Sequence, residues 1–211
     1  SYKGILVTDS LEQYHLLDRK LPDVTNANCW AHARRAFADA VKAADKKDPQ
    51  AVKSSVAYRA LQKIAEFYSI DTGLKELPKE ERLKQRQEKI QPMVEEFFAW
   101  VKQQVSEYAV PPKSKTGQGL NFIINQEKYL KVFLTDGDVP IDNSASERAI
   151  RTFCVGKKNW MFHNTARGAE ASALVYSISE TAKLNNLRPY YYFRHILTEL
   201  PKLCDKKGNI D

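Results

Sequence analysis

The sequence predicts an α/β protein dominated by helix, in which two mixed segments flank a long all-α stretch. Three observations predict it. Short apolar runs suited to strands stand near the start, at Gly4-Ile5-Leu6-Val7-Thr8 and again from Val24 to Asn28. From Pro49 to about Thr135 the chain is charge-rich and helical in periodicity, with no strand signal. After Pro140 the mixed pattern returns.

The first run is β-branched and too short for a helix, and it ends at Asp9 before the amphipathic segment Leu11 to Leu17. The order is strand, acid, helix. Val24 to Asn28 is expected to pair beside the first strand. CWAHARRAFADAVKAA then places Trp30, Ala33, Phe37 and Val41 on or near one helical face. Helices are expected at about 50–69, 79–107 and 115–134, punctuated by Asp71-Thr72-Gly73, Pro111-Pro112 and Asp136-Gly137. Pro92 should kink the second of these or mark its true start. Further on, SASERAIRTF reads as helix and KNWMFHN as an extended piece or hairpin arm. Ala166 to Asn185 is a helix whose buried side is expected to carry Leu174, Ile178, Ala182 and Leu184. Asn185-Asn186 ends it, and Pro189 begins a last helix through Leu200.

Composition narrows the class. With 43% hydrophobic residues and a mean hydropathy of −0.53, a chain of 211 residues can bury a core and does not read as disordered or membrane-embedded. No apolar run approaches the roughly 20 residues of a spanning helix, and SYKGILVTDS lacks the layout of a signal peptide, so a cytoplasmic location is expected. Cys29, Cys154 and Cys204 are odd in number and widely spaced, which predicts reduced thiols. A net charge of +7 favours an anionic partner, because clustered Lys and Arg release counterions on meeting phosphate.

Several residues could carry chemistry, and each has a plainer alternative. Asp9 at the end of a strand can reach a divalent metal, or can cap the helix that follows. Glu147 in DNSASERAIR is expected to share a helix face with Asn143 and Arg151, a grouping suited to metal and phosphate. Ser144-Ala-Ser-Glu147 also matches a capping box. Cys29 and His32 fall one helical turn apart, but no second Cys or His pair completes a zinc site. His32 can therefore serve as a hydrogen-bonding or proton-accepting group, or simply be a satisfied core residue. Arg34, Arg35, Arg148, Arg151, Lys157, Lys158, Asn159 and Trp160 bring basic and aromatic groups close to these positions in sequence, as contacts to DNA require. The mixed-sign run from Lys79 to Lys89 reads as a solvated helix face.

The strings LVTDSLEQY, NCWAHARRAF, GDVPIDNSASERAIR and GKKNWMFHNTARGAEASALVYSISETAKLNNLRPYYYFRHIL, in this order, closely resemble the insertion sequence 66 family of transposases over nearly the whole chain. The resemblance implies a partial ribonuclease H-like fold of the DDE type with a large all-α insertion. Residues 1–46 would form the first part of the core, 47–136 the insertion, and 137–211 the second part with C-terminal helices. It makes Asp9 the second metal-binding acid and Glu147 the third, and it moves His32 into the active-site neighbourhood through a Cys-x-x-His string also found in hAT transposases. The implied cofactor is Mg²⁺ or Mn²⁺, two ions about 4 Å apart in the intact enzyme. DNA is the implied partner, with self-association in a synaptic complex and a nucleoid-associated location. The first acid has no counterpart here, so the chain is expected to be a fragment with little strand transfer of its own. The alternative is a DNA- or protein-binding module of the same fold that has lost catalysis.

Overall fold

The computed structural model describes residues 2–44 and 48–203. It divides the chain into two compact units, residues 1–144 and 145–211. The sequence-derived boundary between residues 46 and 47 touches positions outside the described residues, as does Cys204.

The first unit begins with β1 (Gly4–Thr8), α1 (Glu12–Lys20) and β2 (Val24–Asn28). The strands pair in parallel, Gly4 with Val24 through Thr8 with Asn28, and α1 makes the crossover that a parallel pair needs. Consecutive residues Asn26, Ala27 and Asn28 are all buried, so both faces of β2 are covered. The buried amides are hydrogen-bonded. Thr8 Oγ1 donates to Asn26 Oδ1 at 3.0 Å, Asn26 Nδ2 to Asn28 Oδ1 at 3.1 Å, and Asn28 Nδ2 to Gln126 Oε1 at 2.9 Å.

After β2 come α2 (Trp30–Ala33) and α3 (Arg35–Ala43), broken at Arg34. As the periodicity predicts, Trp30, Ala33 and Phe37 are buried. The helical stretch then supplies α4 (Pro49–Ser54), α5 (Val56–Gly73) and α6 (Lys79–Gln85), followed by one π turn over Arg86–Ile90. It continues with α7 (Gln91–Ser106), α8 (Lys115–Asn125) and α9 (Glu127–Leu130). Asp48, Ser55 and Ser114 each accept a backbone N–H in the first turn of the helix they precede, which fixes where α4, α5 and α8 start. Pro92 lies in the first turn of α7, where its missing N–H costs little, and the π turn just before it carries the chain through without a break.

Helices and sheet share one core. Trp30 stands at its centre, edge-on to Phe67 at 4.8 Å and Phe98 at 6.1 Å, with its indole N–H donated to the Leu130 carbonyl at 2.8 Å. Phe37, Ile64, Phe97, Val101, Leu120 and Ile123 surround it. Gly119 lets α8 approach α3, since a Cβ there would lie 2.8 Å from the Phe37 ring.

The Lys79–Lys89 run is not simply a solvated face. Lys84, Glu88 and Lys89 are exposed, but Arg86 is 2% exposed and ion-paired with buried Asp71, Nε to Oδ1 at 2.7 Å. Its Nη1 also donates to the carbonyls of Phe133 (3.0 Å), Asp136 (3.1 Å) and Val139 (2.8 Å). Alternating charge cannot reveal which cation turns inward. Arg82 adds a bond to the Gly137 carbonyl at 3.0 Å, and Lys79 pairs with Asp136 at 2.8 Å. Only glycine fits at 137, because a Cβ would come 2.1 Å from the Lys79 carbonyl oxygen.

The second unit contains most of α10 (Ser144–Trp160), then α11 (Ala166–Leu184) and α12 (Pro189–Glu199). KNWMFHN is not an extended arm. The helix runs on through Trp160 because Met161 N–H still reaches the Lys157 carbonyl at 2.7 Å and Trp160 packs edge-on to Phe153 at 5.3 Å. Asn186, at a positive φ of 57°, closes α11 as expected, and Leu187 N–H returns to the Ala182 carbonyl at 2.8 Å. The expected buried side of α11 holds only in part. Ala182 is buried, whereas Leu174 and Leu184 are exposed, because three helices build too thin a layer to cover every apolar position. Among the described residues, no helix is long and apolar enough to cross a membrane.

Replacing Arg86 by Met leaves Asp71 buried without its cation, and should cost about 3–5 kcal/mol of unfolding free energy in urea titrations. Lys84→Ala in the same run should change it by less than about 0.5 kcal/mol.

Candidate functional site

In parallel sheets, ligands gather at the carboxyl ends of the strands, where backbone groups and following loops converge. Asp9 stands at that edge, directly after Thr8, and is followed by Ser10 at a positive φ of 72°. A non-glycine residue in this region costs energy and is held only by its surroundings. The capping reading of Asp9 fails on geometry: Leu11 is the N-cap residue of α1, and no side chain caps that helix.

Beside Asp9 lies the end of β2. Cys29 N–H donates to the Thr8 carbonyl at 2.9 Å, which carries the ladder one residue past the strand. The segment Ile141-Asp142-Asn143 then docks on Cys29 and Trp30. Trp30 N–H donates to the Ile141 carbonyl at 3.2 Å, and Asn143 N–H to the Cys29 sulfur at 3.4 Å. From α5, the Tyr68 hydroxyl donates to Asp142 Oδ2 at 3.1 Å, while Asp142 Oδ1 accepts the Ser144 N–H at 2.9 Å. That last N–H is the one a capping box would give to Glu147. Asn143 therefore lies just before α10 and not one turn inside it, and α10 departs from a segment fixed at four points.

Polar groups at this edge are unevenly satisfied. Asp9 Oδ1, Ser10 Oγ and Asn143 Oδ1 are shielded from solvent and have no hydrogen-bond partner among the described residues. Buried polar atoms in native proteins are rarely left without a partner. The Asp9 carboxylate and the Asn143 amide are hard oxygen donors, the type that Mg²⁺ and Mn²⁺ prefer. They suit such an ion but are too few to enclose it, and among the described residues no group of three His, Cys, Asp or Glu side chains forms a metal-holding cluster.

Burial sets the protonation of the supporting groups. Desolvation raises the Cys29 thiol pKa above its ordinary 9.0, opposed by N–H bonds from Asn143, His32 and Ala31. Tyr68 is raised above its ordinary 10.0 by desolvation and then by the Asp142 charge. Both side chains are neutral at physiological pH, so Asp142 accepts a hydrogen bond from a phenol and meets no second anion there.

The other predicted residues fall in two places. His32 on α2 is half-buried and lines a groove of about 280 Å³ with Arg35, Lys115, Gln118 and Phe122, while Arg34 is exposed at the break before α3. Glu147, Arg148, Arg151, Lys157, Lys158 and Asn159 are exposed along α10, and Trp160 at its end is half-buried. Glu147, Arg151 and Lys158 share one face of that helix by spacing. Tyr68 and Asp142 escaped sequence reasoning. Asp142 carried a signal, since an Asp two residues before the first residue of a helix commonly accepts that residue's N–H. Tyr68 carried none, because its partner lies 74 residues away.

These features define a helix-dominated α/β protein with a shielded carboxylate oxygen at the edge of a parallel strand pair. Comparison with known proteins gives the family: residues 1–171 match the family described as Transposase IS66 family, and the chain belongs to it. Its relatives in Sinorhizobium fredii (strain NBRC 101917 / NGR234) include the uncharacterized protein y4hP, 31% identical over 94% of this chain and 37% of that protein. Another is the uncharacterized protein y4qI, 27% identical over 94% of this chain and 36% of that protein. The chain thus spans little more than a third of the length of these relatives. No solved structure matches it.

The raised Cys29 and Tyr68 pKa values fix a sign for pH dependence. The native state keeps both protons to higher pH than the unfolded chain does, so this stability is fully present below about pH 9 and is lost as pH rises past the unfolded values of 9.0 and 10.0. Urea midpoints should fall between pH 9 and 11, and Tyr68→Phe should make that fall shallower.

Proposed function

We propose that the chain is part of the catalytic domain of a DDE-type DNA transposase with a ribonuclease H-like core, and that Asp9 and Glu147 are two of its three metal-binding acids. The observation that carries this reading is the partnerless, shielded Asp9 oxygen at the carboxyl edge of the parallel pair, in a chain of the IS66 transposase family. Residues 1–46 and 137–211 would then be the two parts of the core, and the helices between them an insertion.

Asp9 and Glu147 would hold Mg²⁺ or Mn²⁺, which when bound would supply activation of a water or 3′-hydroxyl and charge stabilisation for an in-line phosphoryl displacement. The chain's own residues bind and orient. Asp9 offers Oδ1 as a ligand, and Glu147 in the first turn of α10 offers a second carboxylate. His32, on the short helix after β2, would serve as a hydrogen-bonding or proton-accepting group toward substrate. Arg148, Arg151, Lys157 and Lys158 would hold phosphates, with Asn159 and Trp160 available to sugar and base, and Arg34 and Arg35 would also contact DNA. The remaining acid is attributed to polypeptide outside these 211 residues, and self-association during synapsis belongs to the same proposal.

Two measurements test it. Duplex DNA affinity, read by fluorescence anisotropy, should fall steeply with salt, and the double variant Arg148→Ala/Arg151→Ala should lower the log–log salt slope by about 1.8. In an IS66-family polypeptide that supplies the third acid, Asp9→Asn should cut metal-dependent strand transfer roughly a thousandfold while leaving DNA affinity in place. Undiminished transfer by the Asp9→Asn protein would refute the assignment. Salt-sensitive DNA binding with no transfer even before substitution would favour a module that binds without catalysing.

A further inference from the structure

We propose that the corner between α11 and α12 is a further nucleic-acid site, one that takes an unpaired base of a single DNA strand on Tyr191 and its flanking phosphates on Arg188 and Arg194. It extends the reading of the chain as a DNA-binding protein, and it needs neither a metal nor catalysis. Local sequence sets the corner. Asn186 turns the chain at a positive φ of 57°, Leu187 N–H closes α11 on the Ala182 carbonyl at 2.8 Å, and Pro189 opens α12. Asn186, Leu187, Arg188, Tyr191, Tyr192 and His195 then line a groove of about 450 Å³. Small-molecule sites run from roughly 300 to 1,000 Å³, so a nucleobase fits this one.

Positions 188, 191 and 194 recur every three residues and form one row along α12. The Arg188 guanidinium lies 5.9 Å, and that of Arg194 5.4 Å, from the centre of the Tyr191 ring. Both stand beyond the ~3.5–4 Å of a close flat stack. Tyr191 is 51% exposed, so part of its ring stays open, and Tyr190 stands edge-on to it with centroids 5.3 Å apart. An open ring flanked by two guanidinia suits a single strand, because the ring accepts a base by stacking while the cations meet phosphate. Bases in a duplex cover their faces with their neighbours, so stacking selects unpaired ones. The local charge agrees. Neither arginine is ion-paired among the described residues, whereas Glu180 near the end of α11 and Glu199 at the end of α12 are taken by Lys183 at 2.6 Å and Lys202 at 2.9 Å. The Asn186 amide and the His195 imidazole add groups able to hydrogen-bond a base edge.

The experiment measures fluorescence anisotropy of a labelled oligothymidylate, and of a duplex of equal length, with the 211-residue chain, while circular dichroism checks that each variant is folded. Tyr191→Leu should weaken oligothymidylate binding about tenfold and Tyr191→Phe by less than about twofold, with duplex affinity unchanged in both. The double variant Arg188→Gln/Arg194→Gln should lower the log–log salt slope for the single strand by about 1.4. Full single-strand affinity in Tyr191→Leu, or a loss in Tyr191→Phe as large as in Tyr191→Leu, would overturn stacking on this ring. Equal losses for strand and duplex would overturn the selection of unpaired bases. Absence of oligothymidylate binding by the unsubstituted protein would overturn the site even where duplex binding through α10 persists. Tyr191-dependent single-strand binding by a protein that ignores the duplex would uphold the corner and remove the duplex contacts of α10 instead, so the two readings fail separately.

Discussion

A guanidinium 2% exposed in a helical block must be neutralised and must find acceptors for its N–H groups, or the fold around it is not stable. Arg86 meets that constraint with one carboxylate and a ring of carbonyls, and the solution organises the first unit. Asp71 ties it to α5, while Phe133, Asp136 and Val139 tie it to the chain that returns toward the sheet. That returning chain is irregular and would otherwise carry unsatisfied carbonyls into the interior. Because it is anchored, Ile141 to Asn143 arrive at the end of β2 in one arrangement, against Cys29 and Trp30. The helical stretch thus contributes more than bulk: it delivers the segment from which α10 departs.

The same logic explains why the carboxyl edge can hold unsatisfied oxygens. Each partnerless atom there, on Asp9, Ser10 or Asn143, is a local cost, and Ser10 adds a left-handed backbone. A fold keeps such costs only where the surrounding contacts over-determine the geometry. Here those contacts are the parallel ladder on one side and the Tyr68, Asp142 and Cys29 bonds on the other. On the proposed reading, Asp9 would present its oxygen already oriented, so little ordering would remain for a cation to impose.

How much of this was legible in the sequence follows from the range of each interaction. Local patterns were readable: the β-branched run ending at Asp9, the helical face through Trp30, Ala33 and Phe37, and the Asn-Asn stop of α11 all depend on residues within a few positions. Val24 to Asn28 was expected to pair beside the first strand, and the structure shows that pair to be parallel. Long-range choices were not readable. Nothing near Arg86 distinguishes it from Lys84 or Lys89, because its partners are a carboxylate 15 residues away and carbonyls 47 to 53 residues away. The KNW segment misled because aromatic residues beside a basic pair suit a strand as well as the end of a helix, and packing on Phe153 decided it. For the candidate site, Asp9 was legible as the acid after a strand, whereas Tyr68 and Asp142, and Asn143 and Cys29, come together only through the fold.

The central claim is that the edge beside Asp9 is a cation site. Crystals grown with Mn²⁺ and measured at a wavelength where manganese scatters anomalously would test it most directly. An anomalous peak is expected about 2.1 Å from an Asp9 carboxylate oxygen. A well-occupied peak elsewhere, with Asp9 hydrogen-bonded to protein and facing away from metal, would contradict it.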